Sequence, residues 1–245
     1  KGAEKVKSML EERGIEILLN EGSEKVLGND RVEGLVTSKR QIDCDTLLWA
    51  VGMRPRVELA RQAGIVLGEK GGIRVNSHME TNIEGIYACG DCVESNDMLT
   101  GEPYPNLFWH NANRQGMVAG CNCLGRATDY PGSQNILNVD VFGNHVAGFG
   151  FTEAALHRFE NINGLGGKLS DLSIIEKEKN GSYYRLVIIG DRCMGGQFIN
   201  ISQNIGMLWS LMIRRRSMKE LTSLLRNREL LCRKPWFHRI KPFFT

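Results

Sequence analysis

The 245-residue sequence has no apolar run approaching the roughly 18–20 residues of a membrane span, and no secretory signal opens it. Only 6 residues are proline, and 42% are hydrophobic against 24% charged, which excludes a disordered chain. Cysteine is sparse and odd in number, at 7, so a disulfide scaffold is excluded and a reducing cytoplasm is the expected home. No Gly-x-Gly-x-x-Gly follows a strand-like run. The nearest candidate, Gly164-Leu165-Gly166-Gly167, follows a polar stretch and precedes no clear helix. Charge of one sign is also scarce overall. The net value of +3 is too small to imply nucleic acid, and none is expected as a partner.

The richest stretch is the twelve residues from Thr81 to Cys92, Thr-Asn-Ile-Glu-Gly-Ile-Tyr-Ala-Cys-Gly-Asp-Cys. Residues 86–88 form a short apolar run of the kind buried in a parallel sheet. The run ends in Gly90-Asp91. Glycine there lets a ligand approach the backbone, and aspartate accepts hydrogen bonds from sugar hydroxyls at the carboxyl edge of such a sheet.

This stretch resembles the second flavin-binding motif of the FAD-dependent pyridine nucleotide–disulfide oxidoreductase superfamily. There a Thr opens the segment, apolar residues fill the strand and Gly-Asp closes it. The resemblance implies that Gly90 and Asp91 line the FAD site, with Asp91 holding the ribityl chain near the pyrophosphate. A second match lies upstream. Residues 1–13 read as a helix with Val6, Met9 and Leu10 on one face, and Gly14 ends it. Residues 15–19 read as a strand, 25–28 and 32–37 as a hairpin about Asn29-Asp30, and 46–50 as a further apolar run. This order resembles the closing half of the family's NAD(P)H-binding domain. The family's Ala-x-Gly-x-x-Pro motif is met at Ala50-Val51-Gly52-Met53-Arg54-Pro55, 26 residues before Thr81. By resemblance, Gly52 allows close approach of the nicotinamide.

Downstream, residues 58–63 read as a short helix and 73–75 as a strand, and a longer helix follows over 109–124. Its Ala112, Gly116, Ala119 and Gly120 suit tight packing of the helix against a sheet. The segment Phe108-Trp109-His110-Asn111-Ala112-Asn113-Arg114-Gln115-Gly116 again resembles the family. There the helix N-terminus points at the flavin pyrimidine, and its free N–H groups stabilise negative charge on the reduced ring. Trp109 and His110 would lie nearest, acting largely through their backbone.

Cys89 and Cys92 form a Cys-x-x-Cys, which invites a redox or metal reading. The plainer reading is favoured: two small apolar residues within the flavin motif. Cys121 and Cys123 have the wrong spacing for a second metal pair, so no metal is expected.

After Gly125 five strands are expected, over 136–141, 145–150, 172–177, 183–189 and 193–198, with Gly143-Asn144, Asn180-Gly181 and Gly190-Asp191 as turns between them. This predicts an antiparallel sheet, followed by helices over 202–214 and 218–227. The fold class expected is therefore α/β. Residues 1–53 would complete a NAD(P)-binding domain and 54–126 an FAD-binding domain. Residues 127–245 would form a C-terminal α+β domain of the interface or dimerisation type. Both glycine fingerprints of the family, and any redox cysteine, would lie upstream of Lys1, which makes the chain the C-terminal part of a longer reductase. The His-Pro-Thr that the glutathione-reductase branch carries near its end is absent. That favours the NADH oxidase, rubredoxin reductase and nitrite reductase flavoprotein branch.

The resemblance implies FAD and NAD(P)H as cofactors and a homo-oligomer. Hydride would pass from NAD(P)H to FAD, and electrons onward to oxygen, a disulfide or an electron-transfer protein. The alternative is a catalytically silent module for oligomerisation or partner docking. From residue 214 to the end, ten Lys/Arg and two Glu give +8, mixed with Trp236, Phe237, Phe243 and Phe244. Such a segment suits an acidic electron-transfer partner, or simply a solvated face.

Overall fold

The computed structural model describes residues 1–103, 107–158 and 168–219. Contacts divide the chain into two compact units, one of Lys1 and Ala3–Arg54, the other of Gly2 and Pro55 onward.

In the first unit, the Val6, Met9 and Leu10 stripe recurs at helical spacing and forms α1 (Gly2–Glu11), to which Lys7 and Glu11 add an ion pair one turn apart at 3.6 Å. Gly14, at φ +81, ends it, and the Ile15 N–H turns back to the Leu10 carbonyl at 3.2 Å. The strands β1 (Ser23–Leu27), β2 (Gly34–Thr37) and β3 (Gln41–Asp43) form an antiparallel meander in that order. The first turn requires glycine at position 28: φ is +119, and a Cβ would collide with the Arg31 carbonyl oxygen.

Two expected strands are not formed here. Residues 15–19 and 46–50 make no ladder, and Leu48 is 87% and Trp49 53% exposed. Both runs have strand composition. The three-stranded sheet, however, is built from consecutive antiparallel neighbours and pairs with neither of them. Composition supplies a face for a strand, whereas a strand also needs a backbone to pair with.

The second unit begins with α2 (Glu58–Gln62) and a short parallel pair, β4 (Ile73–Arg74) beside β5 (Val93–Glu94). Val57, Ala60, Ile73 and Val93 bury one small core here. The run at 86–88 does not lie in a parallel sheet, contrary to expectation. Thr81 donates to the Ile86 carbonyl at 2.8 Å and Ala88 to the Met79 carbonyl at 3.0 Å, so the segment folds back on itself as a tight antiparallel loop. Tyr87 makes a single antiparallel bridge to Glu80, and Ile86 is 39% exposed. Gly85 at φ +75 closes the loop, its N–H held by the Glu80 carboxylate at 3.0 Å. The local turn chemistry of Thr81, Glu80 and Gly85 wins over the apolar run.

The helix α3 (Trp109–Cys123) follows, burying Val118 and Ala119 against Met79 and Tyr130. Beyond it the five expected strands are present: β6 (Ile136–Val141), β7 (Asn144–Gly150), β8 (Leu172–Lys179), β9 (Ser182–Ile189) and β10 (Arg192–Ile199). They pair antiparallel throughout, in the order β6-β7-β10-β9-β8. Phe149, Leu186, Ile189, Met194 and Phe198 form the main core with the short α4 (Glu153–Leu156) and with α5 (Ile205–Ile213), which buries Leu208 and Met212. The expected helix over 218–227, the aromatic tail and the 164–167 glycines lie outside the described residues.

Candidate functional site

Gly90-Asp91 sits in a turn between the 81–88 loop and β5. Val93 donates to the Gly90 carbonyl at 3.1 Å, and Gly90 holds φ +84, a conformation that favours glycine. The helix α3 packs directly on this turn through its small residues. A Cβ on Gly90 would stand 3.8 Å from the Ala112 Cβ, and one on Gly116 would stand 3.9 Å from the Cys89 sulfur. A larger side chain at 112 or 116 would push the helix away. Asp91 is exposed.

The first turn of α3 carries Trp109, 80% exposed, and His110, half-buried. Among the described residues no side chain caps this helix end, and Phe108 precedes it in extended conformation. Its leading N–H groups and the positive end of its dipole are therefore available to an acceptor. The structure thus sets Gly90 against the first two turns of α3, at Ala112 and Gln115, with Asp91 next to it in the chain and Trp109 and His110 beginning that helix. Gly52 lies in the other unit, exposed and at φ +99.

Sequence reasoning assigned His110 a backbone role, yet its ring is also engaged. Nε2 lies 3.1 Å from the Gln134 carbonyl oxygen, and the ring stacks on Phe108 with centroids 5.5 Å apart. A carbonyl only accepts, so Nε2 carries a proton in this contact.

Behind this edge lies a buried polar network that the sequence reading missed. Asn111, Gln115, Ser95, Ser133 and Gln134 are all buried. Gln115 accepts from the Gly90 N–H at 2.7 Å and donates to the Ser95 hydroxyl at 3.1 Å. Ser133 bonds Ser95 at 2.7 Å and Tyr130 at 3.0 Å. Burial pushes the Tyr130 phenol up, with hydrogen bonds to Ser133 and Gln115 acting against it, so Tyr130 stays neutral. One signal was available: Asn111 and Gln115 stand four apart, on the same face as Val118 and Ala119.

Of the Cys89–Cys92 pair, Cys89 is exposed and Cys92 partly buried, not the two buried apolar residues expected. Desolvation, with smaller contributions from Cys89 and Asp91, raises the Cys92 thiol, which donates to the Cys89 carbonyl at 3.4 Å. A raised thiol is the reverse of an activated nucleophile. Among the described residues, no group of three or more His, Cys, Asp and Glu is placed to hold a metal ion. None of the described helices is long and apolar enough to cross a membrane.

Residues 2–116 match the family model for pyridine nucleotide-disulphide oxidoreductases. An NADH oxidase of Methanocaldococcus jannaschii is 34% identical over 239 residues, 91% of this chain and 50% of that protein. The crystal structure of an FAD-dependent pyridine nucleotide-disulphide oxidoreductase from Desulfovibrio vulgaris superposes with TM-score 0.79 at 25% identity, covering 90% of this chain and 55% of that one. An NAD-dependent persulfide reductase from A. fulgidus gives TM-score 0.80 at 26% identity, covering 89% and 42%. The chain belongs to the pyridine nucleotide-disulphide oxidoreductase family, and it spans about half the length of these relatives.

Proposed function

We propose that this chain serves an FAD-dependent NAD(P)H oxidoreductase and supplies one edge of its flavin site. The carrying observation is the Gly90-Asp91 turn, packed at van der Waals distance on the first turns of α3 and tied to it by the Gln115 side chain. These residues fit the group. Asp91 offers an exposed carboxylate to ribityl hydroxyls, Gly90 a bare backbone, and the N–H groups of Trp109 and His110 donors to a carbonyl that gains negative charge. The exposed Gly52 serves close approach of the nicotinamide. When bound, FAD takes hydride from NAD(P)H and passes electrons to the acceptor, which is oxygen, a disulfide or an electron-transfer protein. The chain's own part is to orient the ring and to stabilise charge at its pyrimidine end, and no nucleophile from this chain is required.

The test is direct. The full-length protein should purify yellow and oxidise NADH or NADPH when given an acceptor. A colourless protein, with no flavin uptake on addition of FAD, would overturn this reading in favour of a silent docking or oligomerisation module.

A further inference from the structure

We infer that Gln115 is the positioning residue that sets the flavin edge, by clamping the Gly90 amide to helix α3. The inference rests on the functional reading above and adds a residue to it.

Gln115 lies in the second turn of α3 and is 3% exposed. Its amide has one orientation only. Oε1 takes the Gly90 N–H at 2.7 Å, and Nε2 donates to Ser95 at 3.1 Å and more weakly to Ser133 at 3.5 Å. Exchanging O and N would set a donor against the Gly90 N–H. The two serines are themselves bonded, and Tyr130 backs them, so the amide is gripped at both ends. A buried backbone N–H without a partner is costly, and Gln115 provides the partner at a residue already held at φ +84.

The consequence is geometric. Asp91 directly follows the clamped amide, and Trp109 and His110 begin the helix that carries the clamp. One side chain therefore fixes the distance between the carboxylate meant for the ribityl chain and the N–H groups meant for the ring. Small residues at 112 and 116 keep the surfaces in contact, but contact alone does not prevent sliding. A hydrogen bond of fixed direction does.

The experiment uses the full-length protein and the pair Q115L and S133A. The leucine of Q115L fills a similar volume but leaves the Gly90 N–H unpaired. S133A breaks the Ser95 and Tyr130 bonds and the weak 3.5 Å bond from Gln115, while leaving the Gly90 clamp and its shorter Ser95 anchor in place. Q115L should weaken FAD binding by about tenfold, equal to about 1.4 kcal/mol, and should change the bound flavin's visible circular dichroism and midpoint potential. S133A should lower thermal stability yet leave flavin affinity, spectrum and potential at wild-type values. If flavin affinity merely follows stability across both variants, Gln115 is a structural residue and the inference fails. Should Q115L not fold, Q115N makes the same comparison, since its amide falls short of Gly90 by one bond, about 1.5 Å. A wild-type protein that takes up no flavin defeats the functional reading itself. A yellow wild type whose Gln115 variants are indistinguishable from it defeats this inference alone.

Discussion

Asn111 and Gln134 bond each other reciprocally: the Asn111 side-chain amide donates to the Gln134 carbonyl at 2.9 Å, and the Gln134 N–H donates to the Asn111 side-chain oxygen at 3.0 Å. This locks the first turn of α3 to the strand-like segment that enters the five-stranded sheet. Both residues are buried, so neither bond competes with water.

Asn111→Ala leaves the buried Gln134 N–H without its partner, while the Gln134 carbonyl keeps the His110 ring. The expected loss is about 1–3 kcal/mol of unfolding free energy, the cost of one buried group left unpaired. Urea titration of the full-length protein measures it. A change under about 0.5 kcal/mol would show that water replaces the amide and that the lock is dispensable.

Asp91→Ala should behave in the opposite way. Asp91 is exposed and has no ion pair among those found between described residues, so stability should hardly move. Losing a hydrogen bond to a charged acceptor costs about 1.5–3 kcal/mol, so FAD should bind about ten- to a hundredfold more weakly. Unchanged flavin affinity would remove Asp91 from the site.

Cys193 should make the fold sensitive to alkali. Burial pushes its thiol from 9.0 up to about 12. The unfolded thiol ionises first, so this contribution is fully present below pH 9.0 and is lost as the pH climbs toward 12. Within that window one proton gives at most about 1.4 kcal/mol per pH unit. Denaturant midpoints measured from pH 8 upward should fall less steeply in Cys193→Ala than in the parent. Parallel slopes would mean that other groups carry the effect.

Arg214, Arg215 and Arg216 are exposed after α5, with Arg215 also donating to the Met98 carbonyl at 3.1 Å. If they steer an acidic electron carrier, replacing all three by Gln should slow electron transfer to that carrier and flatten its salt dependence, because the attraction is screened over about 8 Å at physiological ionic strength. NADH oxidation with a small neutral dye should not change. An equal response with both acceptors would assign the arginines a structural role.

Elements with strong local signals were legible before folding was considered. The strands from Ile136 to Ile199 announce themselves by strand-like runs and by Gly-Asn, Asn-Gly and Gly-Asp turns, which join β6 to β7, β8 to β9 and β9 to β10. The pairing of β7 with β10 is a longer-range contact that such turns do not specify. The small residues on α3 suggested packing against a sheet, whereas Ala112 and Gly116 meet the turn at Cys89 and Gly90 and Gly120 faces open space. Residues 15–19, 46–50 and 86–88 were misread for one shared reason. Each has the composition of a strand, and composition does not say whether a backbone partner is adjacent. At 86–88 the hydrogen bonds went to Thr81 and Met79 instead.

The same division runs through the site. The start of α3 and the Gly-Asp break after 86–88 were legible in the sequence alone, because a helix start and a glycine beside an acid are properties of contiguous residues. That Gln115 holds the Gly90 amide, and that Asn111 and His110 share the Gln134 carbonyl, only the tertiary structure decided. Glutamine and asparagine carry no local preference that names their partners. Their bonds join residues between 23 and 25 positions apart, and they exist because burial leaves each polar group no alternative to another polar group.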